Sequence, residues 1–201
     1  MVKKIEKNNH VIIATRRAVT DLVRAYFDSE TEYISYESLL RVSSFPSEVK
    51  SVVHLAGLNE KECKDDPALA KEINVHQTAK ILDAAIYKNV ETFLYMSTTQ
   101  VYGAGLCGDI NESRIPKPEH PYGNTNFEAE ARVRKAYEQG AIRSIILRMS
   151  NAFGSPVMPE MPRWNLLVND IARQAVTKGE IRLRSNGCQY RDFITLSDVT
   201  E

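Results

Sequence analysis

Small or polar residues follow four apolar runs of the sequence, and they are the first candidates for chemistry. They occupy residues 15–17, 56–57, 97–99 and 150–151. In a doubly wound sheet, ligands bind beyond the carboxyl ends of the strands, which is where such residues would converge. A ligand site at that edge is therefore one interpretation, and the ordinary solvation of loops after strands is the other.

The cysteines and histidines form no constellation that predicts a metal site. Cys63, Cys107 and Cys188 are odd in number and far apart, with no CxxC pair and no histidine at metal-ligand spacing. We interpret them as reduced thiols. His54 lies within an apolar run, and we interpret it as a histidine at the edge of the core, held by hydrogen bonds, rather than as an acid, a base or a ligand.

Composition excludes several classes of function. Of the 201 residues, 43% are hydrophobic and 26% charged, as in an ordinary soluble globular protein. The 26 basic and 26 acidic residues give a net charge of zero, so no overall field would attract nucleic acid or an anionic membrane. Residues 1–10 carry no signal-peptide run, and no apolar stretch is long enough to span a membrane. We therefore expect a cytoplasmic protein with a small-molecule partner.

The elements that would position the candidate residues alternate between strand and helix. Continuous apolar runs predict strands of a sheet that is covered on both faces, at residues 11–14, 51–56, 92–96 and 144–147. Apolar residues with a helical period predict an amphipathic helix between the second and third of these strands. Strand, helix and strand in this order indicate parallel βαβ units and hence a doubly wound α/β sheet.

Two helices can be delimited more closely. The periodic residues of the amphipathic helix begin at Thr78, and Asn89 can close it as a C-cap. A longer helix is predicted over residues 122–139, with Pro121 just outside its start and Gly140 just past its end. Both helices alternate with the strands as the βαβ pattern requires.

The composition changes after Gly154 and marks a boundary. Pro156, Pro159 and Pro162 predict a loop, and residues 164–178 then predict a helix. We therefore predict a sheet domain over residues 1–154 and the beginning of a smaller lobe over residues 155–201. Residues 1–9 would be the last turns of a helix that leads into the first predicted strand.

Six segments resemble, in the same order, the motifs of extended short-chain dehydrogenases of the nucleotide-sugar epimerase and dehydratase type. They are HLAG at 54–57, INxxxT at 73–78, MSTTQVYG at 96–103, PYGNTNFEAE at 121–130, RMSNAFG at 148–154 and RDFITLSDV at 191–199. The resemblance implies a Rossmann domain over residues 1–154 and the beginning of a substrate-binding lobe over residues 155–201. It also implies a bound NADP or NAD, a nucleoside-diphosphate sugar as substrate, and a homodimer.

The resemblance implies that Thr98 and Tyr122 are the catalytic pair. The alternatives are an ordinary aromatic residue at a helix start for Tyr122, and a solvated strand end or a turn hydroxyl for Thr98. Tyr122 would be the acid/base for a sugar hydroxyl while hydride passes between the sugar carbon and the nicotinamide, and Thr98 would hydrogen-bond the same oxygen. Free tyrosine titrates at about 10, and the family lowers that pKa with a lysine four residues after the tyrosine. This sequence has the uncharged Asn126 there, so a slow enzyme or none is expected. Asn126 would either bind the ribose of the cofactor or be an inert surface amide.

The resemblance also implies residues that bind cofactor and substrate. Arg16 and Arg17 stand where an acidic residue would select NAD, so they favour the 2′-phosphate of NADP, with a solvated basic loop as the alternative. Gly57 would let the backbone approach the cofactor, or would serve a plain turn. The predicted cofactor-binding residues are Arg16, Arg17, Leu55, Ala56, Gly57, Asn74, Ser97, Tyr122 and Asn126. The predicted substrate-binding residues are Thr98, Asn151 and Arg191, of which the last two would contact the phosphates of the sugar nucleotide.

Two departures from the family pattern concern the ends of the chain. The family opens with a strand and a GxxGxxG turn that holds the pyrophosphate, and nothing before Val11 matches them. The match stops at Glu201, where family members continue. We therefore expect a Rossmann-like sheet without its first strand, with unpaired edges.

Three functions remain open from the sequence. The first is an NAD(P)-dependent nucleotide-sugar epimerase, dehydratase or reductase. The second is a non-catalytic protein that binds a dinucleotide or a sugar nucleotide. The third is a gene fragment without a function of its own.

Overall fold

The computed structural model describes residues 8–16, 18–27, 29–155, 164–183 and 185–200. The chain divides into two compact units. The first comprises the described residues up to Ala104 together with Glu112–Arg148, and the second comprises Gly105–Asn111 and the described residues from Met149 onward. Of the helix end predicted over residues 1–9, residues 1–7 lie outside the described residues, and residues 8 and 9 form a turn and a bend rather than a helix. The predicted proline-rich loop also lies outside the described residues. The domain boundary after residue 154 stays a prediction.

Parallel strands form the sheets of the first unit. Strands β1 (Ile12–Thr15) and β2 (Glu32–Ser35) pair in parallel as a two-stranded sheet. Strands β3 (Ser51–His54), β4 (Thr92–Thr98) and β5 (Arg143–Met149) form a second sheet in that order, and β3 and β4 are parallel, with His54 opposite Tyr95. This arrangement confirms the predicted α/β fold with a parallel, Rossmann-like sheet. Strand β2 was not predicted, because only two of its four residues, Tyr33 and Ile34, are apolar, which is too few for an apolar run.

Helices of several kinds connect these strands. The α-helices of the first unit are α1 (Asp21–Tyr26), α2 (Glu60–Asp65), α3 (Pro67–Lys71), α4 (Thr78–Tyr87) and α5 (Pro121–Glu138). A π-helix, Glu72–Gln77, joins α3 to α4, and 3₁₀-helices lie at Tyr36–Leu40, Val42–Ser44 and Thr99–Tyr102.

The ends of the two predicted helices follow local rules. Helix α4 begins at Thr78 as predicted, and Asn89 adopts a φ of 57° just after its end. Helix α5 begins one residue earlier than predicted, because Pro121 occupies the first helical position and His120 is the N-cap. Proline suits that position, since its missing N–H would have no partner there. Gly140 follows the end of α5 with a φ of 68°.

The core of the first unit lies between the three-stranded sheet and helices α4 and α5. Phe93 and Tyr95 point from β4 into this core, where they join apolar residues of both helices. Leu94 and Met96, which alternate with them, are only half-buried. Val53 of β3 is 37% exposed. Among the described residues, the face of the sheet that carries Phe93 and Tyr95 is therefore the more deeply buried one.

The second unit contains a small parallel sheet and two helices. Strands β6 (Asn151–Phe153) and β7 (Phe193–Thr195) pair in parallel. Helix α6 (Leu167–Lys178) starts three residues later than predicted and ends at Gly179, which has a φ of 68°. The short helix α7 (Leu196–Val199) follows β7 directly. No helix among the described residues has the length and apolar character needed to cross a membrane.

Candidate active site

The backbone of Tyr122 is anchored at the start of α5. Its N–H donates to Nδ1 of the N-cap His120 at 3.2 Å. Its carbonyl accepts from the Asn126 amide at 2.8 Å and from the Thr125 hydroxyl at 3.2 Å. The phenol is half-buried. These bonds on both sides of the peptide unit determine where the Tyr122 side chain leaves the helix.

Thr98 is the last residue of β4 and is buried. Its Oγ1 accepts a hydrogen bond from the N–H of Gln100 at 3.2 Å, which caps the 3₁₀-helix Thr99–Tyr102. The hydroxyl thus serves the turn, as expected for a threonine at a strand end. This bond uses an oxygen lone pair, so the hydroxyl keeps its proton for donation to another oxygen.

Gly123 allows the start of α5 to pack closely against the turn that follows Thr98. A Cβ at position 123 would lie 2.7 Å from the carbonyl oxygen of Gln100 and 3.2 Å from Cβ of Pro118. The 2.7 Å distance is too short for a Cβ unless the backbone shifts, and the 3.2 Å distance is a tight contact. The structure therefore brings the chain segments that carry Thr98 and Tyr122 together, and it needs a glycine to do so.

Asn126 is buried within the protein and bonded on both sides of its amide. Its side chain is 5% exposed, its Nδ2 donates to the Tyr122 carbonyl, and its Oδ1 accepts from the Tyr95 hydroxyl at 2.9 Å. The alternative of an inert surface amide is therefore wrong. Burial raises the pKa of Tyr95 well above its usual value, and the neighbouring Tyr122 and Glu130 raise it further. Tyr95 thus remains a neutral donor to Asn126.

A buried carboxylate supports the end of β4, and the sequence analysis did not find it. Glu130 lies on α5 and accepts a 2.5 Å hydrogen bond from the Ser97 hydroxyl. Arg148 of β5 donates to the same carboxylate through Nε and Nη2. Ser97 was predicted to bind cofactor, but it is buried and its hydroxyl proton goes to Glu130. The sequence did contain a signal for Glu130. It lies eight residues after Tyr122, about two helical turns, which places both residues on the same face of the helix.

Arg148 also contacts the 3₁₀-helix after β4. Its guanidinium lies over the ring of Tyr102, 4.7 Å from the centroid, as in a cation–π interaction. Hydrogen bonding to Glu130 raises the pKa of Arg148 above its already high usual value. The Glu130 cluster, which comprises Ser97, Tyr102, Glu130 and Arg148, therefore ties β4, β5, α5 and the 3₁₀-helix together beside Thr98.

The segment after β3 is an exposed part of the predicted cofactor site. Leu55 is 55% exposed, Ala56 is half-buried and Gly57 is exposed. Asn74, by contrast, is buried, and its Oδ1 accepts from the N–H of Leu58 at 2.7 Å. Residues 55–57 therefore present backbone and an apolar side chain to solvent, while Asn74 lies beneath them.

His54 belongs to the core edge, as predicted. It is buried, and its Nε2 lies 2.9 Å from Oγ1 of Thr78. Its ring stacks on Tyr95 with a centroid distance of 5.9 Å. Burial lowers the pKa of His54 to about 4, so its imidazole is neutral at physiological pH.

Arg16 follows β1, is exposed, and has its guanidinium 5.3 Å from the ring centroid of Tyr36. The charge of Arg16 contributes to the lowered pKa of Glu37, whose main cause is a hydrogen bond from the Ser35 hydroxyl. Arg16 is therefore oriented by an aromatic ring and faces a carboxylate. Arg17 lies outside the described residues.

Asn151 and Arg191 both belong to the second unit and are exposed. The Asn151 amide donates to the carbonyl of Asp192 at 2.9 Å, and Arg191 donates to the side-chain oxygen of Gln189 at 2.9 Å. Asn151 is the first residue of β6, and Arg191 precedes the start of β7 by two residues. Their predicted contact with phosphates stays a prediction.

The residues present fit part of a dinucleotide site. Residues 55–57 after β3, of which Leu55 and Gly57 are exposed, stand at the carboxyl end of a parallel strand, and so does Arg16 after β1. Such a cofactor binds at these strand ends. No glycine-rich phosphate-binding turn occurs among residues 8–16 and 18–27. No group of His, Cys, Asp and Glu side chains suited to a metal ion exists in the part of the chain that the structure describes.

Comparisons with known proteins give a consistent result. A family model described as "NAD dependent epimerase/dehydratase family" matches residues 1–201. The dTDP-D-glucose 4,6-dehydratase of Homo sapiens is 31% identical over 131 residues, which are 64% of this chain and 35% of that protein. The chain thus spans about a third of the length of that curated relative.

Solved structures with the same fold include two epimerases. One is UDP-N-acetylglucosamine 4-epimerase from Methanobrevibacter ruminantium M1 in complex with UDP-N-acetylmuramic acid, with a TM-score of 0.84 at 21% identity. The other is UDP-glucuronic acid 4-epimerase from Bacillus cereus in complex with UDP-glucuronic acid and NAD, with a TM-score of 0.81 at 22% identity. Each match covers 98% of this chain and 65% of the solved chain. At these identities the likeness shows the fold.

Proposed function

Because the chain belongs to the NAD dependent epimerase/dehydratase family, we propose that it binds NAD or NADP and a nucleoside-diphosphate sugar, with Thr98 and Tyr122 as the catalytic pair. Tyr122 exchanges a proton with a sugar hydroxyl, and Thr98 donates its remaining proton to the same oxygen. The dinucleotide, when bound, supplies the acceptor and donor of hydride. Residues 55–57 hold it through exposed backbone.

The observation that carries this proposal is the close packing of α5 on the turn after Thr98. The absence of a side chain at Gly123 permits a contact with the Gln100 carbonyl that no other residue would permit. Thr98 caps the same turn, and Tyr122 precedes Gly123 directly. The packing therefore favours a shared position of the two hydroxyl groups at one end of β4.

We expect the rate of turnover by this chain to be low. A tyrosine acts as a base only when ionised, and its ordinary pKa of about 10 leaves little phenolate at neutral pH. Asn126 carries no charge that would stabilise a phenolate. Because general acid–base catalysis contributes typically ~10²–10⁴-fold, we expect the absence of the lysine charge at position 126 to cost much of that factor.

A second candidate is binding of dinucleotide or sugar nucleotide without turnover. Asn126 favours it, because both sides of its amide are bonded within the protein, to Tyr95 and to the Tyr122 carbonyl. The lysine position of the family thus has a structural role here. Under this candidate, the chain binds its ligand but no longer catalyses a reaction on it.

One set of measurements distinguishes the candidates. Unfolding of the purified chain is followed with NAD, NADP, dTDP-glucose and UDP-glucose, since a ligand of the native state must raise the melting temperature. Sugar products are then followed by NMR in the presence of either dinucleotide. Turnover that disappears in Tyr122→Phe and Thr98→Ala supports the enzyme. Binding without turnover supports the second candidate, and a folded chain that binds no ligand overturns both.

The cofactor preference has its own test. Arg16 favours a 2′-phosphate, whereas the nearby Glu37 opposes one. Arg16→Ala should weaken NADP binding about tenfold more than NAD binding, as expected for the loss of one charged hydrogen bond. Equal losses for the two dinucleotides would leave Arg16 as a solvated basic residue.

The remaining expectations concern assembly and location. A homodimer is proposed from the family resemblance, and light scattering on the purified chain tests it. A cytoplasmic location is proposed from the composition, and fractionation of cells that express the chain tests it. A chain that does not unfold cooperatively would favour the third reading, a gene fragment without a function of its own.

A further inference from the structure

We propose that Asn74 is a positioning residue that connects residues 55–58 to the helix carrying Tyr122, so that dinucleotide binding and the placement of Tyr122 are coupled. The cofactor part of this inference rests on the proposed function. The connection itself is a property of the folded chain and can be measured without any ligand.

The side chain of Asn74 has used all its donors within the protein. It is 3% exposed, and its Nδ2 donates to Oγ1 of Thr125 at 3.1 Å and to Sγ of Cys63 at 3.4 Å. Its Oδ1 accepts from the N–H of Leu58 at 2.7 Å. An asparagine amide has two N–H groups, so none remains for a cofactor. Asn74 therefore acts through its neighbours rather than by direct contact.

The hydrogen bonds run in one direction from the loop to the helix. The Thr125 hydroxyl has a single proton, which is directed to the carbonyls of Pro121 at 2.9 Å and Tyr122 at 3.2 Å. Its oxygen must therefore accept from Asn74. The chain of donors leads from Leu58 through Asn74 and Thr125 to the first turn of α5, and bonds aligned in this way polarise and strengthen one another.

The local backbone explains why Asn74 can make this connection. It lies in the π-helix Glu72–Gln77, a rare local widening of the helix that occurs frequently at functional sites. On the loop side, a Cβ at Gly57 would lie 3.2 Å from Oδ1 of Asn74, so the loop rests directly on the amide. A displacement of residues 55–58 therefore acts on Asn74, and through Thr125 on the peptide unit of Tyr122.

A pair of substitutions at Thr125 tests the connection without ligand. Thr125→Val keeps the shape but removes the hydroxyl, and Thr125→Ser keeps the hydroxyl but removes the methyl group. Amide hydrogen exchange at Leu58 should accelerate about 5–10-fold in the valine variant and stay within about twofold of wild type in the serine variant, since the hydrogen bonds of the hydroxyl to Asn74 and to the α5 carbonyls are lost only in the former. If exchange at Leu58 accelerates in the serine variant and not in the valine variant, Thr125 has a packing role and the proposal is overturned. An unchanged exchange rate in both variants would also overturn it.

The cofactor arm uses NAD affinity measured by calorimetry. Thr125→Val should weaken NAD binding about 5–10-fold although Thr125 belongs to α5, and Thr125→Ser should not. Asn74→Asp has the same shape but no N–H donors, so it should weaken NAD binding as much as Thr125→Val does. The double variant should bind NAD no more weakly than either single variant. If the fold-losses of NAD affinity of the two single variants multiply in the double variant, the two residues act independently, which would contradict the proposed connection.

Hydrogen exchange without ligand and NAD affinity can fail independently, so the two experiments distinguish a failure of this inference from a failure of the proposed function. If wild type binds no NAD, the proposed function fails, while exchange at Leu58 still decides whether Asn74 connects loop and helix. If Asn74→Asp does not fold, the two Thr125 variants decide alone.

Discussion

Glu130 and Arg148 form a paired contact in which two N–H groups of the guanidinium meet both oxygens of the carboxylate. Nε lies 3.0 Å from Oε1 and Nη2 lies 2.6 Å from Oε2. No part of the Glu130 side chain is exposed. Such a pair adds little net stability over apolar residues of similar size, but removing one partner leaves a buried charge uncompensated. Its effect is to hold Ser97, and with it the end of β4, in place.

Loss of the Glu130 charge should therefore be costly. We expect Glu130→Gln to lower the free energy of unfolding by about 2–4 kcal/mol, measured by urea denaturation. Glu128→Gln on the same helix is the matched control, because Glu128 makes only a surface ion pair with Lys71, and about 0–1 kcal/mol is expected there. The double variant Glu130→Leu, Arg148→Met should recover most of the loss. Equal costs for the two glutamine variants would disprove a special role for Glu130.

Gly123→Ala should destabilise the protein although alanine is the better helix former. The new Cβ would lie 2.7 Å from the Gln100 carbonyl, so the start of α5 must shift, at a cost of about 1–3 kcal/mol. Thermal unfolding measures this, with the exposed neighbour Asn124→Ala as control, for which a small gain is expected. An unchanged or higher melting temperature for Gly123→Ala would contradict the close packing.

Asn126→Lys should weaken the fold before it can help any chemistry. The substitution leaves the buried Tyr95 hydroxyl without its acceptor, which costs about 1–3 kcal/mol. Adding Tyr95→Phe should restore part of that stability, measured by denaturant unfolding. If the missing charge limits catalysis, turnover should rise in the double variant. A single variant as stable as wild type would show that the Tyr95–Asn126 bond contributes nothing.

Acid should destabilise the protein through His54. In the unfolded chain a histidine takes up a proton near pH 6.5, whereas burial lowers the folded pKa of His54 to about 4. Between these values the unfolded state binds more protons, so stability falls as the pH is lowered from about 6.5 to about 4, by about 3 kcal/mol in total.

The control variant His54→Leu is judged by how steeply its stability changes with pH, not by its stability at one pH. His54→Leu leaves the Thr78 hydroxyl unpaired and lowers stability at every pH, but it should flatten the slope between pH 6.5 and 4. Urea denaturation at several pH values measures both variants. The same slope in wild type and variant would mean that other groups cause the acid sensitivity.

Much of the fold could be read from local patterns. Apolar runs predicted β1, β3, β4 and β5, and helix punctuation placed the ends of α4 and α5 within about one residue, because these signals depend on neighbours in the chain. Strand β2 was missed because two apolar residues between polar ones form no run to detect.

The sequence by itself determined the α/β class, the order of the main elements and the positions of Thr98 and Tyr122 in matching motifs. Only the tertiary structure decided what their neighbours do. Asn126 is bonded to Tyr95, 31 residues earlier, and Glu130 to Arg148, 18 residues later. The physical reason is that a buried polar group must find its partner across elements, and that partner is chosen by packing rather than by spacing along the chain.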